Sequence, residues 1–328
     1  MTIGDRRGPE AEGLPHFILI GAPKCGTTSM HAMLAEHPDV FIPDNEVFFF
    51  DVDDVLAHPD FFVHRDGLSF HDYDAQFDEY LTWYRSQFAG AQPGQRIGED
   101  TTTYLRSPDA SRRIAELLPD ARLIALLRDP VDRAYSQYLH NVRAGRHSLS
   151  FERTLRTNPM AVLAHGFYTE QLRRYQGFIE AGQLRVIFFE DLVRDPIGEL
   201  GRTCAFLGLE DPPAVDLGAQ HSNAARPPLH FPSRLLVNHW LGHRFSFPRP
   251  RPNLPNYRGP NPDDAQAREL RWYEKALLRL DDNLPRRRPP PMKPDTRTHL
   301  QKVYNKRNAG LGELVQADVS ARWPYMSA

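Results

Sequence analysis

Along the first two-thirds of the chain, short β-rich runs alternate with amphipathic stretches of helical period. The pattern predicts strands at Phe17–Gly21, Val40–Ile42, Arg96–Glu99, Arg122–Leu127 and Arg185–Phe189. Between them it predicts helices at Thr27–Glu36, Ala75–Phe88, Pro108–Leu118, Pro130–Ala144, Thr169–Ala181 and Pro196–Leu207. Runs such as Phe17–Ile20 and Leu123–Leu127 are apolar on both faces, as in strands of a parallel sheet covered by helices on each side. The expected class is therefore α/β, three layers deep, with a central parallel sheet. Beyond Glu210 the character changes. More than half of the 29 prolines lie there, crowded into Phe247–Pro262 and Pro285–Pro294, which read as extended loop. Helical period returns at Asp263–Leu280 and Thr296–Leu314. We expect a flexible stretch over 1–16 and a single domain over 17–328, with 210–295 a proline-rich insertion and lid on the same sheet.

Composition narrows the partners. Among 328 residues, 40 Lys+Arg face 42 Asp+Glu for a net charge of −2, which argues against a general nucleic-acid binder. With 41% hydrophobic and 11% aromatic residues the chain can bury a full core. Two cysteines, Cys25 and Cys204, make no disulfide framework, and no Cys/His cluster has metal spacing, so no metal is expected. No apolar run approaches the roughly 20 residues of a bilayer span, and Met1 to His16 lacks an apolar segment of signal-peptide type. The expectation is a cytoplasmic protein without a membrane span, monomeric or homodimeric. The arginine- and proline-rich composition suits a high-GC bacterial source.

The strongest local signal follows the first strand. Phe17–Ile20 run into Gly21, Pro23, Lys24, Cys25 and Gly26, and then into Thr27, Thr28 and Ser29 at the start of a helix. Gly21 and Gly26 stand at P-loop spacing, which lets backbone amides curl around an anion at a helix N-terminus. In nucleoside-triphosphate loops a Lys follows the second glycine; here Thr27 stands there and the cation has moved to Lys24. A P-loop-type fold binding a nucleotide phosphate, with its Lys aimed differently, is the reading; a plain Ser/Thr helix cap is the bland alternative. A second signal follows the fourth strand, where Arg128 emerges, Pro130 opens a helix, and Ser136 lies two turns along it. An Arg fork with a hydroxyl suits a phosphate monoester.

Together these segments resemble the two phosphosulfate-binding motifs of sulfotransferases that use 3′-phosphoadenosine 5′-phosphosulfate (PAPS, leaving PAP). The resemblance extends through Gly166–Tyr168, Gln171-Leu172, Val186–Pro196 and Phe206–Leu209 to the tail from Met292 to Trp323. It is nearest to soluble bacterial relatives of the heparan-sulfate branch. The resemblance implies that Pro23, Lys24, Cys25, Gly26, Thr27, Thr28 and Ser29 cradle the 5′-phosphosulfate, that Arg128 and Ser136 hold the 3′-phosphate, and that Tyr168 belongs to the cofactor site. It places Arg286–Arg297 at the family's cofactor-covering loop, where Lys293 or Arg297 touches the 3′-phosphate or adenine rim, a solvated basic turn being the alternative.

Sulfuryl transfer needs alignment, charge neutralisation and removal of one proton. Lys24 is the first candidate for the charge on the leaving oxygen. The segment Asn45, Glu46, Val47, Phe48, Phe49, Phe50 resembles the family's Lys-Glu-x-x-Phe-Phe, which makes Glu46 the candidate base, its pKa raised by desolvation against the phenylalanines. A turn cap or an Arg pair is its bland alternative. Two departures stand out: Asn45 and Phe48 replace a common Lys and His, and Asp100 replaces a Lys in Glu99-Asp100-Thr101. Either a positive contact moves elsewhere, or Asp100 joins Phe48 and Thr101 in acceptor recognition. Another branch of the family uses a His base, which makes His140 a candidate ahead of His71 and His16. The aromatics between Phe48 and Tyr84 are partly core and partly a floor for an acceptor. The implied acceptor is a hydroxyl on a small molecule, carbohydrate or glycolipid. A P-loop kinase and a non-catalytic PAP-binding module are the competing readings.

Overall fold

The computed structural model describes residues 13–58, 63–64, 67–68, 70–210, 231–241 and 289–326. The predicted helix Asp263–Leu280 and most of the proline-rich stretch lie outside these. In chain order the first half runs β1 (Phe17–Gly21), α1 (Thr27–Ala35), β2 (Val40–Phe41), the hairpin strands β3 (Val63–His64) and β4 (Gly67–Leu68), α2 (Phe77–Ser86), β5 (Arg96–Asp100), α3 (Ala110–Leu117), β6 (Arg122–Leu127) and α4 (Pro130–Arg143). There follow α5 (Phe151–Thr157), α6 (Met160–Leu163), α7 (Tyr168–Arg173), α8 (Gln176–Glu180), β7 (Leu184–Phe188), α9 (Phe189–Arg194), α10 (Pro196–Leu207), α11 (Phe231–Leu241), α12 (Pro294–Arg307) and α13 (Leu311–Val315). No helix among the described residues is long and apolar enough to cross a membrane.

The five expected strands form one sheet in the order β2-β5-β1-β6-β7, every pair parallel. β1 is buried along its whole length, which explains its uniformly apolar run. Register sets the site: Leu19 lies between Asp100 of β5 and Ile124 of β6, so the carboxyl ends of β1, β5 and β6 open side by side. A second core, formed by Val131, Ala134 and Tyr138 of α4 with Phe151, Val162, Leu300 and Tyr304, packs α4 and α12 against each other.

Several element ends shift by one or two residues, and three expected elements differ in a way that matters for packing. The helix expected over Thr169–Ala181 is two, α7 and α8, broken where Tyr175 turns inward and its hydroxyl donates to the Tyr104 carbonyl at 2.8 Å. The stretch Thr296–Leu314 is likewise divided, because Gly310 takes a left-handed φ of 76° ahead of α13. The last strand ends at Phe188, and Phe189 already begins α9. At the start of the described chain, Leu14 is buried and His16 bonds to both Ile97 and Arg122.

Candidate active site

β1 delivers its chain into a loop that α1 closes. Gly26 stands at the N-cap of α1 with φ 92°, and no side chain caps the helix. The Thr27 and Thr28 amides, with the Thr28 and Ser29 hydroxyls beside them, suit an anion, while the Ser29 amide already bonds the Gly26 carbonyl at 3.1 Å. A Cβ on Gly26 would lie 3.0 Å from Phe189 Cδ2 and 3.1 Å from Leu192 Cδ2, so the loop packs directly on α9. Gly21 answers a different need. A Cβ there would meet the Thr102 carbonyl oxygen at 2.4 Å, so this glycine lets the phosphate loop and the segment after β5 touch.

Lys24 sits in the loop at φ 69°, and its Nζ lies 2.9 Å from His140 Nδ1. With Lys24 an ammonium, which has no acceptor, Nδ1 is the accepting atom of this contact. His140 and Ser136 are one turn apart on α4, both half-buried. Arg128 Nη1 donates to the Lys24 carbonyl at 3.4 Å, and its guanidinium lies 4.6 Å over the Phe189 ring. The Arg128 backbone is clamped by Tyr168, whose hydroxyl donates to the Arg128 carbonyl at 2.8 Å. Tyr168 is itself wholly buried, so it braces the Arg128 backbone from within the core. Cys25 lies under the loop, 3.7 Å from the Tyr168 hydroxyl, and burial pushes its thiol up to about 11.

α4 is well anchored at this end. Asp129 accepts from the amides of Val131 and Asp132 at 2.8 and 3.2 Å, Pro130 follows it, and Tyr325 donates to it at 3.1 Å. Arg297 reaches α4 through Asp132, at 2.6 Å, while Lys293 is exposed at the start of α12. Arg286 to Arg288 lie outside the described residues.

On the other side, Glu46 is held by the segment after β5. Its Oε1 accepts from the Thr102 amide at 2.9 Å and the Thr102 hydroxyl at 2.5 Å. Asp100 is buried beside it, with Oδ2 3.4 Å from His31 Nδ1; burial raises its carboxyl, the His31 hydrogen bond opposes this, and the Glu46 charge adds to it. Two residues expected to meet an acceptor are used inside the protein. Phe48 is 4% exposed and set edge-on to His58, and Thr101 is wholly buried, its hydroxyl accepting from the amides of Val47 and Phe48 at 3.1 and 3.2 Å. Phe49 and Phe50 likewise pack into the core, against Tyr73, Tyr84 and Tyr104. The carboxylate enclosed by aromatics is thus Glu99 rather than Glu46. Its three partners are the hydroxyls of Tyr84, Tyr104 and Thr101, and burial pushes it up to about 7. Of the three histidines weighed, His140 alone meets Lys24; His71 is buried at 2.5 Å from the Tyr80 hydroxyl, and His16 belongs to the sheet margin. Sequence reasoning passed over Glu99, Thr102, His31 and Phe189. An acid inside an otherwise apolar strand was the available sign for Glu99.

A loop with its own Lys, an Arg at the next strand end and an adjoining helix with Ser and His form a cluster whose charge and donors suit an anion. Residues 15–213 match the model of the sulfotransferase family, and the chain belongs to that family. It is 31% identical to human heparan sulfate glucosamine 3-O-sulfotransferase 3B1 over 211 residues, 62% of this chain and 48% of that protein. Human heparan sulfate glucosamine 3-O-sulfotransferase 3A1 is 32% identical over 205 residues, 60% of this chain and 45% of that protein. The chain thus spans about half the length of these curated relatives. Among solved structures, a sulfotransferase from Alicyclobacillus acidocaldarius superposes with a TM-score of 0.59 at 25% identity, covering 94% of this chain and 98% of that one.

Proposed function

We propose that the chain is a PAPS-dependent sulfotransferase acting on a hydroxyl, with a carbohydrate the first acceptor class to test. The observation that carries this is that Lys24 meets both His140 and Arg128 just ahead of an uncapped helix N-terminus, with Glu46 held by Thr102 of the segment that Gly21 lets approach the loop. The donor set fits the cofactor: two cations, the Thr28, Ser29 and Ser136 hydroxyls and free helix amides suit a nucleotide with anionic groups at both ends. When bound, PAPS supplies the sulfuryl group.

Residues 23–29 hold the phosphosulfate end, and Arg128 with Ser136 holds the 3′-phosphate. Lys24 offsets charge at the leaving oxygen. His140, its Nδ1 occupied by the Lys24 ammonium, orients that cation and leaves the proton to Glu46. Thr102 holds one Glu46 oxygen, and the other takes the acceptor proton. The names of the relatives, which specify a glucosamine of heparan sulfate, support a sugar hydroxyl; a small-molecule or glycolipid hydroxyl stays within the same chemistry.

Thermal unfolding with PAP, with ADP and with ATP plus Mg²⁺ tests this reading, for wild type and Arg128→Ala. A ligand at 100 times its Kd stabilises by about 2.7 kcal/mol. Stabilisation by PAP but not ADP, lost in Arg128→Ala, is expected. An equal response to ADP, or a response only to ATP with Mg²⁺, would overturn it in favour of a kinase.

A further inference from the structure

The segment that carries Glu46 is tied to the end of β5 through one buried carboxylate, beside the Thr102 hold on Glu46 itself and an Arg113 bond to the Phe50 carbonyl at 3.1 Å. Glu99, wholly buried on β5, accepts from the Tyr84 hydroxyl through Oε2 at 2.5 Å. Its Oε1 accepts from Tyr104 at 2.5 Å and from Thr101 at 2.9 Å. Those last two hydroxyls also serve the loop after Glu46. Thr101 accepts from the amides of Val47 and Phe48, and Tyr104 accepts from the amide of Phe50 at 3.2 Å.

A hydroxyl has one proton. It can accept from a loop amide in this arrangement only while its own proton points elsewhere, and the Glu99 carboxylate is where both protons go. Thr102, in the same short stretch, grips the Glu46 side chain. Three successive contacts between residues 99–104 and 46–50 therefore trace back to the acceptor capacity of one group. Phe48 adds a reason for the anchor, since its φ of 61° is uncommon for a side chain other than glycine and its amide is one of those held.

We propose that Glu99 is a positioning residue for the transfer reaction: it orients the Thr101 and Tyr104 hydroxyls, which fix loop 46–50 and hence Glu46 at the mouth of the phosphate loop. The catalytic part of this rests on the reading of Glu46 as the base. An ionised carboxylate makes charge-assisted bonds, stronger than those of a neutral acid. Because Glu99 is raised to about 7, mainly by burial, the loop is held most firmly above neutrality and loosens as pH falls through that value. The groups facing Glu99 are Tyr84 from α2, Thr101 and Tyr104 from its own strand's exit, and Asp51, whose charge adds to the upward shift and which pairs with His58 at 2.9 Å.

Three variants test the proposal: Thr101→Val, Thr101→Ser and Glu99→Gln. The first readout is amide hydrogen exchange at Val47, Phe48 and Phe50, corrected for intrinsic rates, which needs no acceptor. Wild-type protection should rise through about neutral pH, Thr101→Val should lose it at Val47 and Phe48, and Thr101→Ser should recover it. Glu99→Gln, a stand-in for the protonated acid, should show weaker protection without the pH step. The second readout is PAP release from PAPS with glucosamine-containing oligosaccharides. Thr101→Val should lower kcat by about 100-fold, the cost of a misplaced reacting group, with stabilisation by PAP retained. Glu99→Gln should abolish the acid limb of kcat near neutrality.

Protected amides in Thr101→Val, or an acid limb that survives in Glu99→Gln, would overturn the proposal. If exchange behaves as stated while wild type transfers nothing from PAPS, Glu99's hold on the loop stands and the sulfotransferase reading fails instead.

Discussion

Replacing Glu99 by Gln has a thermodynamic consequence opposite in sign to its catalytic one. Burial raises the Glu99 carboxyl from the ordinary 4.5 to about 7. The folded protein therefore holds this proton more tightly than the unfolded chain does. Folding takes up a proton between those two values, and stability falls as pH rises through the window. Below the lower value and above the upper one, the group contributes no slope. At about 1.4 kcal/mol per pH unit, the loss between about pH 5 and about pH 8 comes to roughly 2.5 kcal/mol. Gln keeps the shape of the protonated acid and does not titrate. Urea unfolding of both proteins at the two pH values isolates the term, because the other ionisable groups cancel in the comparison. Glu99→Gln should gain roughly 2.5 kcal/mol on wild type between about pH 5 and about pH 8. A change below about 0.5 kcal/mol, the scatter of independent sites, would refute the assignment of a desolvated carboxylate.

Two further outcomes follow from the phosphate loop. Lys24→Ala should lower kcat about 100- to 1,000-fold, the scale for losing one donor at a developing negative charge. PAP-induced stabilisation should shrink without vanishing in that variant, because Arg128, Ser136 and the loop amides remain, as measured by thermal unfolding. Cys25, wholly buried with its thiol pushed up to about 11, should resist a thiol-disulfide reagent at about pH 8 in the folded protein and react on unfolding, read by labelling stoichiometry.

What the sequence disclosed depended on how local each signal is. β1 and β6 were legible because strands buried on both faces carry no polar positions at all. Between α4 and α7 the chain makes α5, α6 and a 3-10 turn at Ala164–Gly166, elements of three to seven residues, too short to display a period. α11 fell in proline-rich surroundings that read as loop. Lys24, Arg128 and Ser136 stand in contiguous motifs and could be placed directly. Lys24 and His140, separated by 116 residues, become a pair only through the β1·β6 register. Phe48 illustrates the reverse error. A run of three phenylalanines reads equally as floor or core, and the turn at Phe48 with its amide on Thr101 decides for core.

On the proposed reading, the acceptor side of this site is built unlike its cofactor side. Cations and free amides of the phosphate loop can be ordered by the anion that enters it, so their free geometry matters less. On that reading Glu46 has no such partner and must be placed before the acceptor arrives. The stretch from Glu99 to Tyr104 supplies that placement from the end of β5, through hydroxyls rather than a salt bridge. An Arg in place of Thr101 or Tyr104 would neutralise Glu99 and remove the stability cost worked out above. It would also leave the loop amides without acceptors, since a guanidinium accepts no hydrogen bond. The hydroxyl network is thus the arrangement that lets one buried charge act on three backbone amides, and its cost in stability above neutral pH is the consequence of that choice.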